Sequence, residues 1–210
     1  MKTKISSQRS AADVEVLKKE LLLSGFCKIE RHTLRHKRFD GTFTPIYTRD
    51  FMQKPKVAAA LPYDPVNNQV VLIEQFRIGA LGVLENPWLI EVVAGIMDKN
   101  GEEYPELIAR EMREEACLEI LDLMPVYEYI VTPGCSTEIV KLYCAKVDAT
   151  KAPEFCGVRD EHEDIRVIVT PVAEAFALVH SGQIKNALAI IALQWLELNL
   201  SAVQKKWRSS

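Results

Sequence analysis

Three glutamates in one short stretch are the residues of this chain best suited to chemistry. Glu111, Glu114 and Glu115 lie in the sequence REMREEA. On a helix, Glu111 and Glu115 are one turn apart, so their carboxylates are neighbours. Two adjacent carboxylates repel each other, and carboxylate oxygens are the ligands that Mg²⁺ prefers in proteins. The spacing therefore indicates a site for a divalent cation.

The helix that must carry these glutamates is predicted over Pro105–Leu118. Its residues favour helix, and proline suits a first helical turn. At about 100° per residue, Ile108 and Met112 lie on an apolar face, and Glu111 and Glu115 fall within the same arc. Carboxylates on a buried face lose hydration and take up protons unless a cation compensates them.

The alternative interpretation is a solvated charged face with Arg–Glu pairs, which is the usual state of a glutamate-rich helix. The helical wheel argues against it for Glu111 and Glu115. It remains adequate for Glu106, Arg110 and Arg113 considered alone.

Arg110–Glu115, with Glu102 eight positions before Arg110 and Gly95 earlier still, resembles the Nudix box, G-x5-E-x7-R-E-U-x-E-E-x-G-U, U being a bulky apolar residue. Two departures are visible. Six residues instead of five separate Gly95 from Glu102, which lengthens the loop between them. Cys117 replaces the last glycine of the motif. Because cysteine adopts a left-handed conformation less readily than glycine, this change puts in doubt the usual backbone conformation at the end of the helix.

The resemblance implies a Mg²⁺ site, with Mn²⁺ as the alternative ion. The implied ligands are the backbone carbonyl of Ala94 and the carboxylates of Glu111, Glu115 and, through water, Glu114. Gly95, Glu102 and Arg110 are implied to be structural residues of the box, with Glu102 and Arg110 holding loop and helix together.

Beyond the box, residues 26 to 200 resemble the ADP-ribose pyrophosphatase branch of that family. The branch carries its general base in an acidic loop before the last strand, which corresponds to the run Asp160–Arg166. The resemblance assigns Glu161 as the base and Glu163 as a further metal ligand, and the two roles are interchangeable at this stage. A solvated acidic loop is the alternative.

The same resemblance implies a set of substrate-binding residues. Pro133 and Gly134 form a loop beyond the box, and Glu138 follows on the ribose side of the substrate. Arg77 and Arg49 match arginines near the phosphates and the nucleotide, where guanidinium groups suit phosphate oxygens. Phe26 is implied to stack on the base from a second subunit. An ordinary turn, surface charge and core packing are the alternatives for such residues in isolation.

The implied reaction is hydrolysis of the diphosphate of ADP-ribose, giving AMP and ribose 5-phosphate. A different nucleotide-sugar pyrophosphatase, such as one acting on GDP-mannose, is the closest alternative. A non-catalytic domain that senses ADP-ribose is an alternative of another class. The resemblance also implies a homodimer with exchanged N-terminal sheets.

Composition limits the other classes of function. The chain has 210 residues, 48% of them hydrophobic, and a net charge of −3, which offers no basic surface for nucleic acid. No secretory leader and no apolar run of membrane-span length is evident. Five cysteines without paired close spacing predict reduced thiols in a cytoplasmic protein.

The remaining pattern predicts two domains. Residues 1–54 form a helix, Ala11–Leu23, followed by an antiparallel hairpin that turns at Asp40-Gly41. Residues 55–210 form the hydrolase domain, with strands around the box helix and two helices at the end. The expected fold class is α+β, a Nudix α/β/α sandwich with a small N-terminal antiparallel sheet.

Overall fold

A computed structural model describes residues 9–25, 27–99 and 101–208 of the chain. These residues belong to two units. One unit comprises the chain up to Pro55 together with Ile130–Glu138, and the other comprises Lys56–Tyr129 together with the chain from Ile139 onward.

The first unit is built on an antiparallel sheet of three strands, β1 (Val14–Ser24), β2 (Lys28–His36) and β3 (Tyr47–Gln53), in that order. A short 3₁₀ turn, Ala11–Asp13, precedes β1. Between β2 and β3 the chain turns at Gly41, whose φ of 89° lies in the region that glycine adopts without penalty. The hairpin predicted around Asp40-Gly41 is therefore confirmed.

The predicted helix Ala11–Leu23 is wrong. Its leucines, lysines and glutamates favour helix locally, but the segment pairs along its length with β2, from Val14 opposite His36 to Ser24 opposite Lys28. Pairing with the next strand of the chain, together with the packing it allows, overrides a weak local propensity for helix.

The second unit contains an eight-stranded mixed sheet and three helices. The strands along the sheet run β10-β11-β5-β4-β9-β8, with β6 paired to β5 and β7 paired to β4. The bounds are β4 Val57–Asp64, β5 Gln69–Phe76, β6 Trp88–Glu91, β7 Val93–Ile96, β8 Asp122–Ile130, β9 Ile139–Lys146, β10 Phe155–Cys156 and β11 Ile165–Pro171; the helices are α1 Tyr104–Ala116, α2 Val172–His180 and α3 Ala187–Arg208.

Alternate side chains of this sheet enter two separate cores. On β4, Ala58 and Ala60 pack with α1, whereas Ala59, Leu61 and Tyr63 pack with α2 and α3. The two-residue period of a strand places one helical layer on each face. The predicted α/β/α sandwich with a separate small antiparallel sheet is thus confirmed.

Helix α3, the second of the two helices expected at the end of the chain, runs from Ala187 to Arg208. Helix α3 has 22 residues, and an 18-residue window of it has a mean hydropathy of 1.3, so it is long and apolar enough to cross a membrane by length and composition alone. This finding corrects the expectation that no apolar run approaches that length. Leu193, Leu196 and Trp207 are buried in the sheet core. These contacts place α3 against one face of the sheet.

Candidate active site

Helix α1 begins with a cap that fixes its first turn. The Glu106 carboxylate accepts a hydrogen bond from the backbone N–H of Glu103 at 3.1 Å, and Pro105 lies in the first turn, where its missing N–H leaves no bond unmade. The helix ends at Ala116, close to the predicted limit. Its inward face buries Ile108, Met112 and both glutamates that the wheel placed there.

Glu115 lies almost completely buried between α1 and the sheet, with 3% of its surface exposed. Its carboxylate accepts hydrogen bonds from the backbone N–H of Ala94 at 2.9 Å and from the Gln75 side chain at 3.4 Å. The pKa of Glu115 is raised to about 8, chiefly by burial and also by the charge of Glu111, and the hydrogen bond from Ala94 acts in the opposite direction.

Glu111 packs directly on the backbone of Gly95. A Cβ atom at position 95 would overlap the Glu111 carboxyl group, so only glycine allows this approach. Burial raises the pKa of Glu111 to about 7, although Arg110, whose Nη1 lies 2.7 Å from Oε1, lowers it. The glycine of the predicted motif therefore makes room for a carboxylate.

Arg110 joins the helix to the loop before it. Its guanidinium donates to Glu102 from Nε at 3.1 Å, to Glu114 from Nη1 at 2.9 Å and to Asp98 from Nη2 at 3.3 Å. The hydrogen bond with Glu102 holds the pKa of Arg110 above its usual value. Together with its ion pair to Glu111, Arg110 thus joins four carboxylates around the start of the site.

The acidic loop lies near the same glutamates. Its residues fold into a 3₁₀ turn, Arg159–Glu161, where Glu161 is exposed. Glu163 is half-buried and accepts a hydrogen bond from the Val158 N–H at 3.3 Å, and burial raises its pKa. The charges of Glu161 and Glu163 also raise the pKa of Glu111, because like charges at short range disfavour ionisation.

The donor set fits a hard divalent cation. Within residues 9–25, 27–99 and 101–208, no three His, Cys, Asp or Glu side chains lie close enough together to form a ready-made ligand cluster. The helix glutamates and Glu163 nevertheless raise one another's pKa through their charges. Such an excess of mutually repelling carboxylates is compensated by an ion that prefers oxygen ligands.

Arg77 is held by Glu91, which in turn is held by Asn186, and the sequence pattern singled out neither Glu91 nor Asn186. Glu91, buried at the end of β6, accepts from Arg77 Nε at 3.1 Å and from Nη2 at 2.7 Å. Asn186 donates to the other Glu91 oxygen at 2.9 Å, and its own side-chain oxygen accepts from the Ala189 N–H at the start of α3. A lone acidic residue inside the apolar run WLIEVV was the available signal for Glu91.

Other predicted substrate residues belong to the first unit. Arg49 is exposed on β3 with its guanidinium 4.6 Å from the centre of the Tyr47 ring. Pro133 and Gly134 are exposed in the loop between β8 and β9. The half-buried Glu138 closes that loop, because its backbone carbonyl accepts from the Val131 N–H at 3.0 Å. Phe26 lies outside the described residues.

Comparison with known proteins places this geometry in a family. No family model matches the chain. The chain is 40% identical over 195 residues, 93% of its length and 93% of the other, to the ADP-ribose pyrophosphatase of Escherichia coli strain K12. It is 35% identical over 204 residues, 96% of its length and 94% of the other, to the ADP-ribose pyrophosphatase of Haemophilus influenzae. The chain belongs to the ADP-ribose pyrophosphatase family. It is accordingly a hydrolase.

More distant similarities agree with this family. The GDP-mannose pyrophosphatase of Cronobacter sakazakii is 34% identical over 190 residues, covering 89% of this chain and 96% of that enzyme. The crystal structure of an ADP compounds hydrolase superposes with a TM-score of 0.71 at 19% identity, covering 92% of this chain and 97% of the other. At 19% identity, this superposition shows that the two proteins share a fold.

The expectation of reduced thiols throughout is wrong for this member of the ADP-ribose pyrophosphatase family. Cys117 and Cys156 form a disulfide, whereas Cys27, Cys135 and Cys144 are free. Cys117 adopts the left-handed conformation, with φ 54° and ψ 35°, directly after α1. The replaced glycine has therefore not changed the exit from the helix, because the cysteine takes the conformation that glycine adopts at this position.

Proposed function

We propose that this chain catalyses the Mg²⁺-dependent hydrolysis of ADP-ribose to AMP and ribose 5-phosphate, as a member of the Nudix family. The observation that carries the proposal is the inward-facing pair Glu111 and Glu115, seated against the Ala94-Gly95 backbone beside an acidic loop. The 40% identity to the Escherichia coli ADP-ribose pyrophosphatase supports the choice of substrate.

The carboxylates of α1 hold the cation in this proposal. Glu111 and Glu115 are direct ligands, Glu114 acts through water, and the Ala94 carbonyl and Glu163 complete the set, with Mn²⁺ as an alternative to Mg²⁺. When bound, the ion neutralises charge on the diphosphate and makes a bound water easier to deprotonate. The raised pKa of Glu111 and of Glu115 supports this assignment, because both groups lack sufficient compensation from the protein alone.

Glu161 is the proposed general base. It is exposed on the acidic loop, so an attacking water can reach it, and its charge is felt at Glu111. Its task is to accept one proton from that water as the water attacks a phosphorus atom of the diphosphate. Glu163, which is half-buried and bonded to the Val158 N–H, is the alternative base.

A further set of residues is proposed to hold the substrate. Two nitrogens of Arg77 donate hydrogen bonds to Glu91, and the Arg77 side chain remains 44% exposed. The guanidinium can therefore also donate to a phosphate oxygen. Arg49, Glu138 and the Pro133-Gly134 loop are proposed to contact the nucleotide and ribose ends, with Phe26 stacking on the base.

A homodimer in the cytoplasm is part of the same proposal. Strand β1 lies at the edge of its three-stranded sheet and exposes a row of large apolar side chains, including Leu17 at 53%, Leu21 at 56% and Leu23 at 51%. Such a surface marks an association site. The bacterial origin of the relatives and the net charge of −3 support a cytoplasmic enzyme acting on small molecules, without nucleic acid or membrane partners.

A substrate panel with product identification tests the function. ADP-ribose, GDP-mannose, ADP-glucose and a diadenosine polyphosphate are incubated with Mg²⁺ and the products are separated. We expect AMP and ribose 5-phosphate from ADP-ribose, with the highest kcat/KM in the panel. Faster cleavage of GDP-mannose would instead favour the activity of the 34% identical relative. Tight ADP-ribose binding without AMP release over hours would identify a sensor.

A further inference from the structure

We infer that the Cys117–Cys156 disulfide is a redox-sensitive tether that positions the acidic loop against helix α1. The inference rests on the proposed function in that the loop carries the proposed base, Glu161. The bond joins two segments 39 residues apart in sequence, and each of its ends adjoins a group of the proposed site.

At the helix end, Cys117 follows α1 directly and lies two residues after Glu115. Its N–H and that of Leu118 both bond to the Met112 carbonyl, which closes the last turn of the helix in the usual left-handed cap. The sulfur atom is therefore attached to a rigid part of the fold, immediately next to the buried glutamates.

At the other end, Cys156 is the last residue before the acidic loop. It belongs to the two-residue edge strand β10 and pairs with Ile165, the first residue after the loop. Residues 157–164 are thus a loop closed at its base by a single residue pair. A second pair, Phe155 with Arg166, and a hydrogen bond from the Val167 N–H to the Glu154 carbonyl at 2.9 Å hold this edge to β11.

The loop itself is bonded as a unit. The Val158 carbonyl accepts from the N–H groups of Glu161 at 3.0 Å and Glu163 at 3.2 Å. Gly157, with a φ of 112°, joins this unit to Cys156, and a Cβ there would lie 2.8 Å from the Glu163 carbonyl oxygen. Fixing the sulfur of Cys156 consequently fixes the direction in which both loop glutamates leave the sheet.

Apart from the disulfide, the described contact between this corner and the end of α1 includes one backbone hydrogen bond, from Gly157 N–H to the Glu114 carbonyl at 3.0 Å. One such bond contributes modestly, because water competes for both groups. The disulfide adds a covalent restraint to this bond and to the packing of Cys156 and Ile165 in the core that includes α1.

The disulfide is open to reductants. Cys117 is exposed, Cys156 is half-buried, and both line a cleft of about 750 Å³ with Arg113, Arg159 and His162. A small dithiol can reduce this bond by thiol–disulfide exchange: two electrons and two protons pass to the pair, which leaves two cysteine thiols and converts the dithiol to a cyclic disulfide. In a reducing compartment such a bond is transient and responds to the redox state.

The test compares oxidised and reduced wild-type protein, with the disulfide content measured by intact mass after alkylation. With ADP-ribose and saturating Mg²⁺, we expect reduction by dithiothreitol to lower kcat roughly tenfold, because small misplacements of a base are costly. KM is expected to change less than twofold. Amide hydrogen exchange at residues 158–163 should become faster on reduction.

Two variants separate the tether from the conformation of residue 117. Cys117→Ser/Cys156→Ser should match the reduced wild type and should not respond to dithiothreitol. Cys117→Gly/Cys156→Ser places glycine in the left-handed position without the bond, and it too should match the reduced protein. If this second variant were as active as the oxidised wild type, the tether would be overturned. Circular dichroism confirms that each variant folds.

The result also distinguishes the tether from the function. Equal kcat and equal exchange for fully oxidised and fully reduced protein would refute the tether while leaving the hydrolase assignment intact. Faster exchange on reduction, with no AMP released by either form, would support the tether and reject the proposed function. A disulfide that does not form under mild oxidation would also refute the tether.

Discussion

The glutamates of α1 and those of the acidic loop are held in opposite ways. Glu111 and Glu115 are buried; Glu111 packs on Gly95, Glu115 accepts a hydrogen bond from the Ala94 backbone, and burial disfavours the charged form of both. Glu161 is exposed, and its loop is anchored mainly through residues 156 and 157. The first arrangement suits ligands that must remain still, and the second suits a group that must meet solvent water.

The two regions also differ in what removing a charge should do. In the helix, replacing a glutamate with a neutral side chain removes the repulsion between carboxylates and the cost of burying a charge. Such a variant should therefore lose activity but gain stability in the absence of metal. In the loop, the charge is already solvated, so removing it should leave the stability of the protein unchanged. The following predictions test this difference.

The largest effect is expected for Glu115→Gln. Removing one ligand charge from the proposed metal site should lower kcat by about a thousandfold, equivalent to about 4 kcal/mol. At pH 8 without metal, the same variant should melt higher than wild type, because a buried charge is gone. Steady-state kinetics and calorimetry measure both effects.

Glu119→Gln is the matched control for Glu115→Gln. It removes one carboxylate just beyond α1, where the side chain is 70% exposed, and it should leave kcat and stability nearly unchanged. Near wild-type turnover of Glu115→Gln at saturating Mg²⁺ would show that the helix glutamates do not hold the ion.

Glu161→Gln is expected to lower kcat about a hundredfold with little change in KM, because a base acts in the transition state. The melting temperature should stay the same, since Glu161 is exposed. Asp160→Asn, one residue earlier in the same turn, serves as the control for loss of charge. If KM alone rises in Glu161→Gln, the base lies elsewhere and Glu163 becomes the next residue to replace.

The same contrast explains which parts of the molecule were predictable from the sequence. The inward orientation of Glu111 and Glu115 follows from helical periodicity, which is local, and the structure confirms it. The segment Ala11–Leu23 was mistaken for a helix because its residue types favour helix locally, whereas its strand conformation depends on pairing with the next strand, β2. The hydrophobic pattern of the segment itself does not show the stabilisation that this strand pairing provides.

Long-range partners were equally invisible. Gln75 reaches Glu115 across 40 positions and Asn186 reaches Glu91 across 95. The Cys117–Cys156 bond could not be inferred from counting cysteines, because an odd number without close spacing suggests free thiols. The types of residue were visible in the sequence, but only the folded chain shows which ones meet.

A pH titration of metal-free stability sharpens the contrast at the helix. The pKa of Glu115 is about 8 in the folded protein, against an ordinary value of 4.5, and that of Glu111 is about 7. Between pH 4.5 and 8 the folded state therefore binds more protons than the unfolded state, and the free energy of unfolding falls as pH rises. Stability should change little below pH 4.5 from these groups.

We expect the loss between pH 5 and pH 8 to be about 1–3 kcal/mol, or several degrees in melting temperature. Mg²⁺ should reverse it and should stabilise most at pH 8, where the ligands are deprotonated. Denaturant unfolding at each pH, with EDTA or with Mg²⁺, measures the change. Stability that rises from pH 5 to pH 8 in EDTA would contradict the raised pKa values.

Gly157→Ala should have the smallest effect, and it acts on the loop alone. The left-handed φ of 112° and the close Glu163 carbonyl disfavour a side chain there, so the loop should shift instead of the core. We expect a fall in kcat of a few-fold and a stability loss of about 1 kcal/mol or less. Gly95→Ala provides the comparison, since its Cβ would displace the buried Glu111 and should lower Mg²⁺ affinity and stability together. If Gly157→Ala destabilised the protein as much as Gly95→Ala, the loop would be packed as rigidly as the helix. The proposed contrast between a rigid helix and a less restrained loop would then be wrong.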